Sequence, residues 1–512
     1  MVARETELDD ASPPMATPKA NGELRPFVIT GIVVALIQAL LMIYALSRAF
    51  AWDEGFHMLA AQLIKAGQKP YIDFCFPQTP LNAYWNAMWM RIFGDSWQIT
   101  HIAAAIMTAL AILLVADYLL TRFPIARWRF ACALAAAMLI GLNAAVVEFG
   151  TVGQAYGICM FLTVAAFRVA VIAVNRRGFM WPFLAALLMS AAAGCSMLTA
   201  PATPVLIVWL FIYSPAGTRL VTLAASVAGA VVPFLPALWL AWKAPHPVFF
   251  NLLGYHLFFR RVKWEGSGIH DFETLTLWIQ SGATMILGLL AIAGVLYVAR
   301  RSGWDRLVRA EYYLCAWAAL LNGLEIATAR PTFAWYFIVI VPLLGILGAA
   351  GFYSIGSRLW GPNRTKWAIA VLAMLMCFAL MRSLYDDAGS MTWHDMEELA
   401  KKTAEVTPPN APLWADEHIY FLLKRPPPDG MEFAPAHKLD LDPADAKKLH
   451  ILTATELLRE VKAGTFDTVA TCDDDDSLKD YGLTDLYEKK TDVGSCAVYS
   501  GKKNKSTQSS SE

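Results

Sequence analysis

Residues 178–218 read GFMWPFLAALLMSAAAGCSMLTAPATPVLIVWLFIYSPAGT and contain no charged residue. A helix needs about 20 apolar residues to cross the hydrocarbon of a bilayer. This run is too long for one crossing and too apolar for a water-facing surface. Pro201 and Pro204 divide it, because a proline removes a helix donor and clashes with the turn before it. Two spans result, 179–199 and the shorter 201–214.

Working outward, similar runs occur at 27–49, 97–120, 130–148, 150–174, 220–242, 275–299, 310–328, 332–354 and 366–384. The expected fold is an α-helical polytopic membrane protein of about eleven spans, with a small C-terminal α/β domain. Composition agrees. Of 512 residues, 57% are hydrophobic and 16% charged, where an average soluble domain has about 25% charged. The mean hydropathy is +0.44. Disordered, collagen-like and disulfide-dense secreted classes are excluded. Zero net charge without a basic stripe argues against nucleic acid as a partner.

The neutral total hides an asymmetry. Residues 385–512 hold 25 acids and 15 bases, a balance of −10, which leaves +10 on residues 1–384. A basic membrane part and an acidic soluble part are expected in different environments. The stretch 81–93 (LNAYWNAMWMRIF) is too short to span and carries Arg91; it suits a helix at the interface. With 81–93 outside the count, Arg122, Arg127, Arg129, Arg176, Arg177, Arg219, Arg300, Arg301, Arg306, Arg309, Arg358 and Arg364 fall on one side, which the positive-inside rule makes cytoplasmic. The N-terminus is then cytoplasmic. Three long segments, 50–96, 243–274 and 385–512, face outward.

The expected divisions are a disordered cytoplasmic arm 1–25, a membrane domain 26–384, a soluble extracytoplasmic domain 385–501 and a flexible end 502–512. In the soluble domain, 393–406 and 453–464 read as helices, and 412–416, 466–472 and 496–501 as strands. Cys472 and Cys496 each sit at a strand end. An oxidising compartment would permit a disulfide between them, and the sequence leaves that open. Cys132, Cys159, Cys195, Cys315 and Cys377 read as small core residues. No CxxC supports a zinc site. Asp473–Asp476 lack the spacing and glycine of a calcium loop and read as a solvated turn.

Chemistry gathers at the outer edges of the spans. Asp53 and Glu54 follow the first span, where two carboxylates are costly unless they face water or a partner. An amphipathic segment follows, then GQKPYIDFCFPQTPLNAYW at 67–85, a loop with three prolines, Asp73, and the aromatics Tyr71, Phe74, Phe76, Tyr84 and Trp85. Aromatics at this depth form an interfacial belt or stack on a sugar and an isoprenoid chain. Loop 243–274 has one basic cluster, Arg260, Arg261 and Lys263, on the side where the positive-inside rule gives it no reason to be. It is a candidate for binding phosphate or lipid headgroups. Arg330 and Trp335-Tyr336 mark another outer edge and read as a snorkelling arginine beside an aromatic anchor. Glu325 precedes them in the same span.

The order Asp53-Glu54, Gly67…Pro70-Tyr71…Asp73, Pro77…Pro80-Leu81…Tyr84-Trp85, Phe93-Gly94 resembles the first external loop of the GT-C class of membrane glycosyltransferases. These use polyprenyl-phosphate sugars and include the protein O-mannosyltransferases and the lipid A aminoarabinose transferases. The match is strongest over about residues 50–97. The resemblance implies a bacterial cytoplasmic membrane enzyme with a polyprenyl-phosphate sugar donor and an envelope glycan, lipid or protein acceptor, surrounded by membrane lipids. It implies Asp53 as the base or orienting carboxylate, Glu54 as its acidic neighbour, and Tyr71, Asp73, Gln78, Tyr84, Trp85, His256, Arg260, Arg261, Arg330 and Tyr336 as substrate-binding candidates. No cofactor is required. A divalent metal at His256 follows the aminoarabinose-transferase branch, but Gln78 and Thr79 stand where that branch has an acid and a lysine. In 148–157, where many relatives have an aspartate, this chain offers Glu148, Gln154 and Tyr156. Two other classes remain alternatives. One is a polyprenyl-linked sugar transporter or flippase, which would place charges at the midplane within repeated halves. The other is a non-catalytic membrane scaffold, which no sequence feature excludes.

Overall fold

The structure is a computed structural model that describes residues 20–49, 53–264, 266–361, 363–473 and 478–503. Most of the arm, most of the flexible end, and Asp474–Asp476 of the acidic turn lie outside the described residues. Helix α1 (Ala20–Ser47) starts inside the segment read as an arm.

A helix stands at each position read as a span, but among the described residues seven are long and apolar enough to cross a bilayer. The chain is a multi-pass membrane protein, and a count of eleven is not reached on that criterion. Met180–Cys195 and Met197–Tyr213 are apolar but shorter. The expected span 130–148 is divided into Arg129–Gly141 and Ala144–Phe149. The expected span 220–242 lies within one continuous candidate span, Ala216–Lys243, which tightens to a single 3₁₀ turn at Val232–Phe234, around Pro233. Apolar Leu, Ala, Ile and Val fill the interhelical core. Helices Gly282–Arg300 and Val341–Trp360 approach so closely at Gly294 and Gly351 that a Cβ on either would collide with a backbone carbonyl of the other helix, from Leu347 and Leu290 respectively. Small residues at a membrane helix crossing permit that approach. Cys132, Cys159, Cys195 and Cys315 are buried as expected, whereas Cys377 is exposed, on the apolar outer face of its helix.

Segment 53–96 forms a layer at one end of the bundle. Helix α2 (Glu54–Lys65) lies along it, and helix α3 (Leu81–Phe93) is too short to span. Helix α4 (Trp97–Arg122) then descends. Its far end carries Arg122, ion-paired with Glu311, while Trp97 meets Trp393 of the C-terminal domain, with ring centres 6.3 Å apart.

The C-terminal domain holds a four-stranded sheet of order β1 (Leu413–Ala415), β2 (Thr468–Thr471), β4 (Cys496–Lys502), β3 (Tyr487–Val493). β1 and β2 are parallel and the other pairs antiparallel. Helix Trp393–Val406 starts with a capping box between Thr392 and Asp395. Helix Ala454–Ala463 has Thr453 as its N-cap and ends at Gly464, whose φ of 74° suits glycine. Cys472 and Cys496 form a disulfide. The domain is fastened to the loop layer. Helix Glu417–Leu423 packs on α2 so tightly that a Cβ on Gly55 would lie 3.0 Å from the His418 nitrogen. His450 Nε2 lies 2.9 Å from the Ile72 carbonyl oxygen, and Lys263 pairs with Asp440 at 2.9 Å.

Candidate functional site

Between the bundle end and the loop layer lies a cavity of about 490 Å³. Asp53 enters it from the turn that starts α2. Gln78 and Thr79 enter from the proline-rich loop, Gln154 and Tyr156 from the turn before helix Tyr156–Ala173, and Tyr336 from the turn before Val341. The opposite wall is a π-helical stretch, Phe250–Phe259, which contributes Leu252, Leu253, His256 and Leu257, with Arg260 as its cap. Wider turns of this kind recur at functional sites. Its position is fixed by Asn251, whose Oδ1 accepts from the Phe76 N–H at 2.8 Å. Glu325 and Arg330 form an exposed lip.

The structure therefore brings Asp53, Gln78, His256, Arg260, Arg330 and Tyr336 together from segments far apart in the chain. Asp53 and Arg260 are the charges at the inner end. Burial raises the Asp53 carboxyl above its ordinary range, and the nearby Arg260 guanidinium pulls it part of the way back. Arg260 donates to the Tyr336 hydroxyl and lies over the rings of Phe333 and Tyr336, at 5.8 and 5.6 Å from their centres. Lys438 of the C-terminal domain donates to the Arg260 carbonyl, which ties that domain to the cavity wall. Of the basic cluster, only Arg260 reaches the cavity. Arg261 pairs with Asp271 and Lys263 with Asp440.

Glu54 does not line the cavity. It is fully buried, and its Oε1 lies 2.6 Å from His101 Nε2 and accepts from the Gly153 N–H at 2.6 Å. The other ring nitrogen of His101 lies 2.7 Å from the Ala45 carbonyl oxygen. Both ring nitrogens thus face oxygens, so the Glu54–His101 pair carries a proton between them. Asn82 and Asn86, one helical turn apart on α3, both donate to the Gly153 carbonyl, at 3.1 and 2.6 Å. Gly153 has no room for a Cβ, which would lie 2.8 Å from Met58 Sδ and 2.9 Å from Glu54 Oε1. This network holds the residues on either side of it, Asp53 and Gln154, at the cavity.

The remaining candidates lie outside the cavity. Tyr71, buried and at a φ of 69°, donates to the Gln78 carbonyl at 2.6 Å and so shapes the loop. Asp73 accepts from the Lys69 N–H at 2.7 Å in a surface turn. Tyr84 and Trp85 are partly exposed on α3, with Trp85 edge-on to Trp89 at 5.4 Å. Glu148 lies in the short helix Ala144–Phe149, half-buried and outside the cavity lining. His57 was not anticipated: it lines the cavity, stacked on Phe56 at 4.5 Å. An apolar amphipathic segment with one histidine gave no pattern to single it out.

The groups around His256 do not fit a metal site. Its Nε2 lies 2.7 Å from the Pro77 carbonyl oxygen, its neighbours Gln78 and Thr79 are neutral, and the Arg260 guanidinium, close enough to help burial lower its pKa to about 4, would repel a cation. The one cluster with metal-ligand spacing among the described residues is Asp416, His418 and Cys472 in the C-terminal domain. There the disulfide takes the Cys472 sulfur.

The fold has known counterparts. ArnT, the aminoarabinose transferase of Cupriavidus metallidurans, superposes with a TM-score of 0.61 in its undecaprenyl-phosphate-bound structure, at 14% identity, over 94% of this chain and 98% of that one. Its apo structure gives a TM-score of 0.63 at 15% identity over the same shares. The arabinosyltransferase EmbB of Mycobacterium smegmatis reaches a TM-score of 0.47 at 13% identity, over 75% of this chain and 39% of that one, a likeness too distant to carry an argument. No protein-family model matches the chain, and no curated protein matches it in sequence. The chain thus has a GT-C-type fold over 94% of its length.

Proposed function

We propose that the protein is an integral membrane glycosyltransferase. It takes a sugar from a polyprenyl-phosphate carrier and transfers it to a hydroxyl of an envelope glycan, lipid or protein on the outer face of the membrane. The observation that carries this reading is the pairing, in one cavity, of a carboxylate and a buried arginine–tyrosine couple beside an apolar wall. The bound lipid of the ArnT structure supports it by analogy of fold.

Arg260 and the Tyr336 hydroxyl hold the carrier phosphate, and Leu252, Leu253 and Leu257 border the isoprenoid. The phosphate is a good leaving group, so no general acid is needed. Asp53 accepts the proton of the acceptor hydroxyl as its oxygen attacks the anomeric carbon. The bond from that carbon to the phosphate oxygen breaks, and polyprenyl phosphate leaves with the electron pair. A single displacement inverts the configuration. A carboxylate whose pKa is raised is a better base than an exposed one, and the fixed guanidinium stabilises charge developing on the departing phosphate. Arg330, on the lip, meets the carrier as it arrives. A carboxylate beside a phosphate-binding arginine favours this reading over a transporter, in which Asp53 would have no chemical task.

The test is mass spectrometry of envelope glycans and lipid-linked sugars in a deletion strain carrying wild type or Asp53→Asn. Loss of one sugar from a glycan, with accumulation of its lipid-linked form, repaired by wild type alone, is the expected result. Full repair by Asp53→Asn would overturn the assignment.

A further inference from the structure

His450 ties the C-terminal domain to the loop layer, and both of its ring nitrogens are engaged. Nδ1 lies 2.8 Å from Asp429 Oδ1, and Nε2 lies 2.9 Å from the Ile72 carbonyl oxygen. A carboxylate and a carbonyl oxygen only accept, so each nitrogen must carry a proton for both bonds to form. The ring is therefore an imidazolium. Burial works against that charge, but the hydrogen bond to Asp429 and its carboxylate charge, the Ile72 carbonyl and Glu432 outweigh it, and the pKa stands above its ordinary value. The side chain is partly exposed, so it can exchange protons with water.

The backbone presets this arrangement. The Leu452 N–H donates to the Gly430 carbonyl at 3.1 Å, and a Cβ on Gly430 would lie 2.6 Å from the Leu452 nitrogen. That close approach sets Asp429 and His450 side by side. Across the interface, Ile72 belongs to a turn closed by its own N–H and that of Asp73 on the Lys69 carbonyl, at 3.2 and 2.9 Å, and by the Tyr71 N–H on the Phe74 carbonyl at 2.9 Å. Tyr71 donates to the Gln78 carbonyl, and Gln78 enters the cavity. Contacts thus run from His450 through Ile72 and Tyr71 to the cavity wall. The other charged groups of these segments are engaged elsewhere or point outward. Asp73 accepts from the Lys69 N–H, Lys448 pairs with Asp445 at 3.7 Å, and Lys447 is exposed on its helix. Glu432, which accepts from the Gly430 N–H at 3.0 Å, is itself raised to about 7 by burial.

We propose that His450 is a positioning residue of the cavity: its doubly protonated ring clamps the 69–74 turn to the C-terminal domain, and loss of one proton releases that turn. The proton that stays is the one on Nδ1, because a carboxylate is a stronger acceptor than a carbonyl. Nε2 then turns a lone pair toward the Ile72 carbonyl oxygen, and the bond between domain and loop gives way to a repulsion. Because folding raises the His450 pKa, the clamp is fully present below the ordinary value of 6.5 and is lost as pH climbs through the higher folded value. Gln78 is then held less firmly at the cavity. The inference concerns the shape of the cavity and goes beyond the reaction proposed to take place in it.

The experiment is hydrogen–deuterium exchange of the full-length protein in lipid nanodiscs, read by mass spectrometry on peptides covering 68–76. It runs from about pH 5 to about pH 9, either side of the histidine range. The variants are His450→Asn and Asp429→Asn. Asparagine tolerates the φ of 52° at position 450, and its side chain is too short to replace Nε2. Exchange of every amide speeds up with pH, so the reading is the ratio of variant to wild-type rate at each pH. His450→Asn is expected to exchange roughly 3- to 10-fold faster than wild type at the acid end, the worth of one ordinary hydrogen bond. At the alkaline end the two should exchange alike, because wild type has also let go. Asp429→Asn keeps an oxygen for Nδ1–H but removes the charge, so it should match wild type at the acid end and release the turn at a lower pH. Peptides from the four-stranded sheet should match wild type throughout, which reports that the variants are folded. A His450→Asn ratio that is the same at both ends of the range, or a ratio of one at the acid end, would overturn the proposal. So would release in Asp429→Asn at a higher pH than in wild type. None of these readings involves sugar transfer, so failure of the glycosyltransferase reading would leave them standing.

Discussion

Glu54 neighbours Asp53 in sequence, yet it faces the protein interior, and substituting it separates support from chemistry. Glu54→Ala removes the acceptor of the Gly153 N–H and the partner of His101 Nε2. Leaving a buried donor unmatched costs about 1–3 kcal/mol for each group. The two together predict a loss of about 2–6 kcal/mol, a large part of the 5–15 kcal/mol typical of a folded domain. Glu54→Gln behaves differently. The Gly153 N–H and His101 Nε2 both meet the one atom Oε1; a carboxamide oxygen there still accepts from Gly153, but a neutral ring has one N–H for the two oxygens its nitrogens face, so one of those oxygens loses its proton. A loss of about 1–3 kcal/mol, smaller than that of Glu54→Ala, is expected. The assay is thermal unfolding in nanodiscs followed by tryptophan fluorescence, paired with single-turnover sugar transfer at a temperature where all forms are folded. Glu54→Ala should unfold earliest, Glu54→Gln between it and wild type, and both should keep transfer at the permissive temperature. If Glu54→Gln, folded at that temperature, loses transfer by about 100-fold, the loss of a chemical rather than a supporting group, the assignment of Glu54 to support is wrong.

Other expectations follow from the same geometry. Arg260→Gln should weaken binding of undecaprenyl phosphate by roughly 10- to 100-fold, the range of one charged hydrogen bond, measured by native mass spectrometry; Tyr336→Phe should cost less, roughly 3- to 10-fold. Because Asp53 must be ionised to accept a proton and burial raises its pKa, kcat/KM should climb with pH through a value above the ordinary carboxylate range. Arg260 lowers that pKa, so in Arg260→Gln the climb should move to higher pH; a shift downward would contradict the pairing. In the C-terminal domain, Glu417 is raised to about 8 by burial. The unfolded chain ionises it from about 4.5 upward, so the folded form should lose stability as pH rises from there to about 8. Glu417→Gln keeps an oxygen for the Ala434 N–H and should flatten that part of a Tm-against-pH curve. Cys472→Ser with Cys496→Ser should destabilise the domain by about 3 kcal/mol on the chain-entropy account of a bridge 24 residues apart in sequence, read by urea unfolding.

Much of the architecture was legible in the chain, for physical reasons. A charge-free run such as 178–218 has no stable arrangement except helices in lipid, and the prolines within it fix the break. The short apolar stretch 81–93 lacks the length to cross, and it forms a helix in the loop layer. Three of four strands in the C-terminal domain showed as apolar runs. β3 did not, because YEKKTDV exposes five consecutive residues between buried ends and reads as a polar loop; it is an edge strand of the kind polar residues protect. The site was harder. Asp53, Gln78, His256, Arg260, Arg330 and Tyr336 could be named as candidates, but sequence could not say which of three neighbouring bases reached the cavity. Asp271 and Asp440 decide that, and Asp440 lies 177 residues from the lysine it holds. Nor could the sequence separate Asp53 from Glu54. Their difference comes from which way the turn into α2 points each side chain, and from His101 and Gly153, which become Glu54's partners only when α4 and the 150–155 turn pack together.

The most direct measurement is single-turnover sugar transfer by purified wild type and Asp53→Asn in nanodiscs, with the lipid-linked donor shown to be bound in both. Asparagine keeps the size of the side chain and removes its basicity. Donor binding within about threefold of wild type, well under one hydrogen bond's worth of change, with transfer reduced by about 100-fold or more, is the predicted result. Transfer at the wild-type rate with the donor bound would show that Asp53 takes no part in the chemistry.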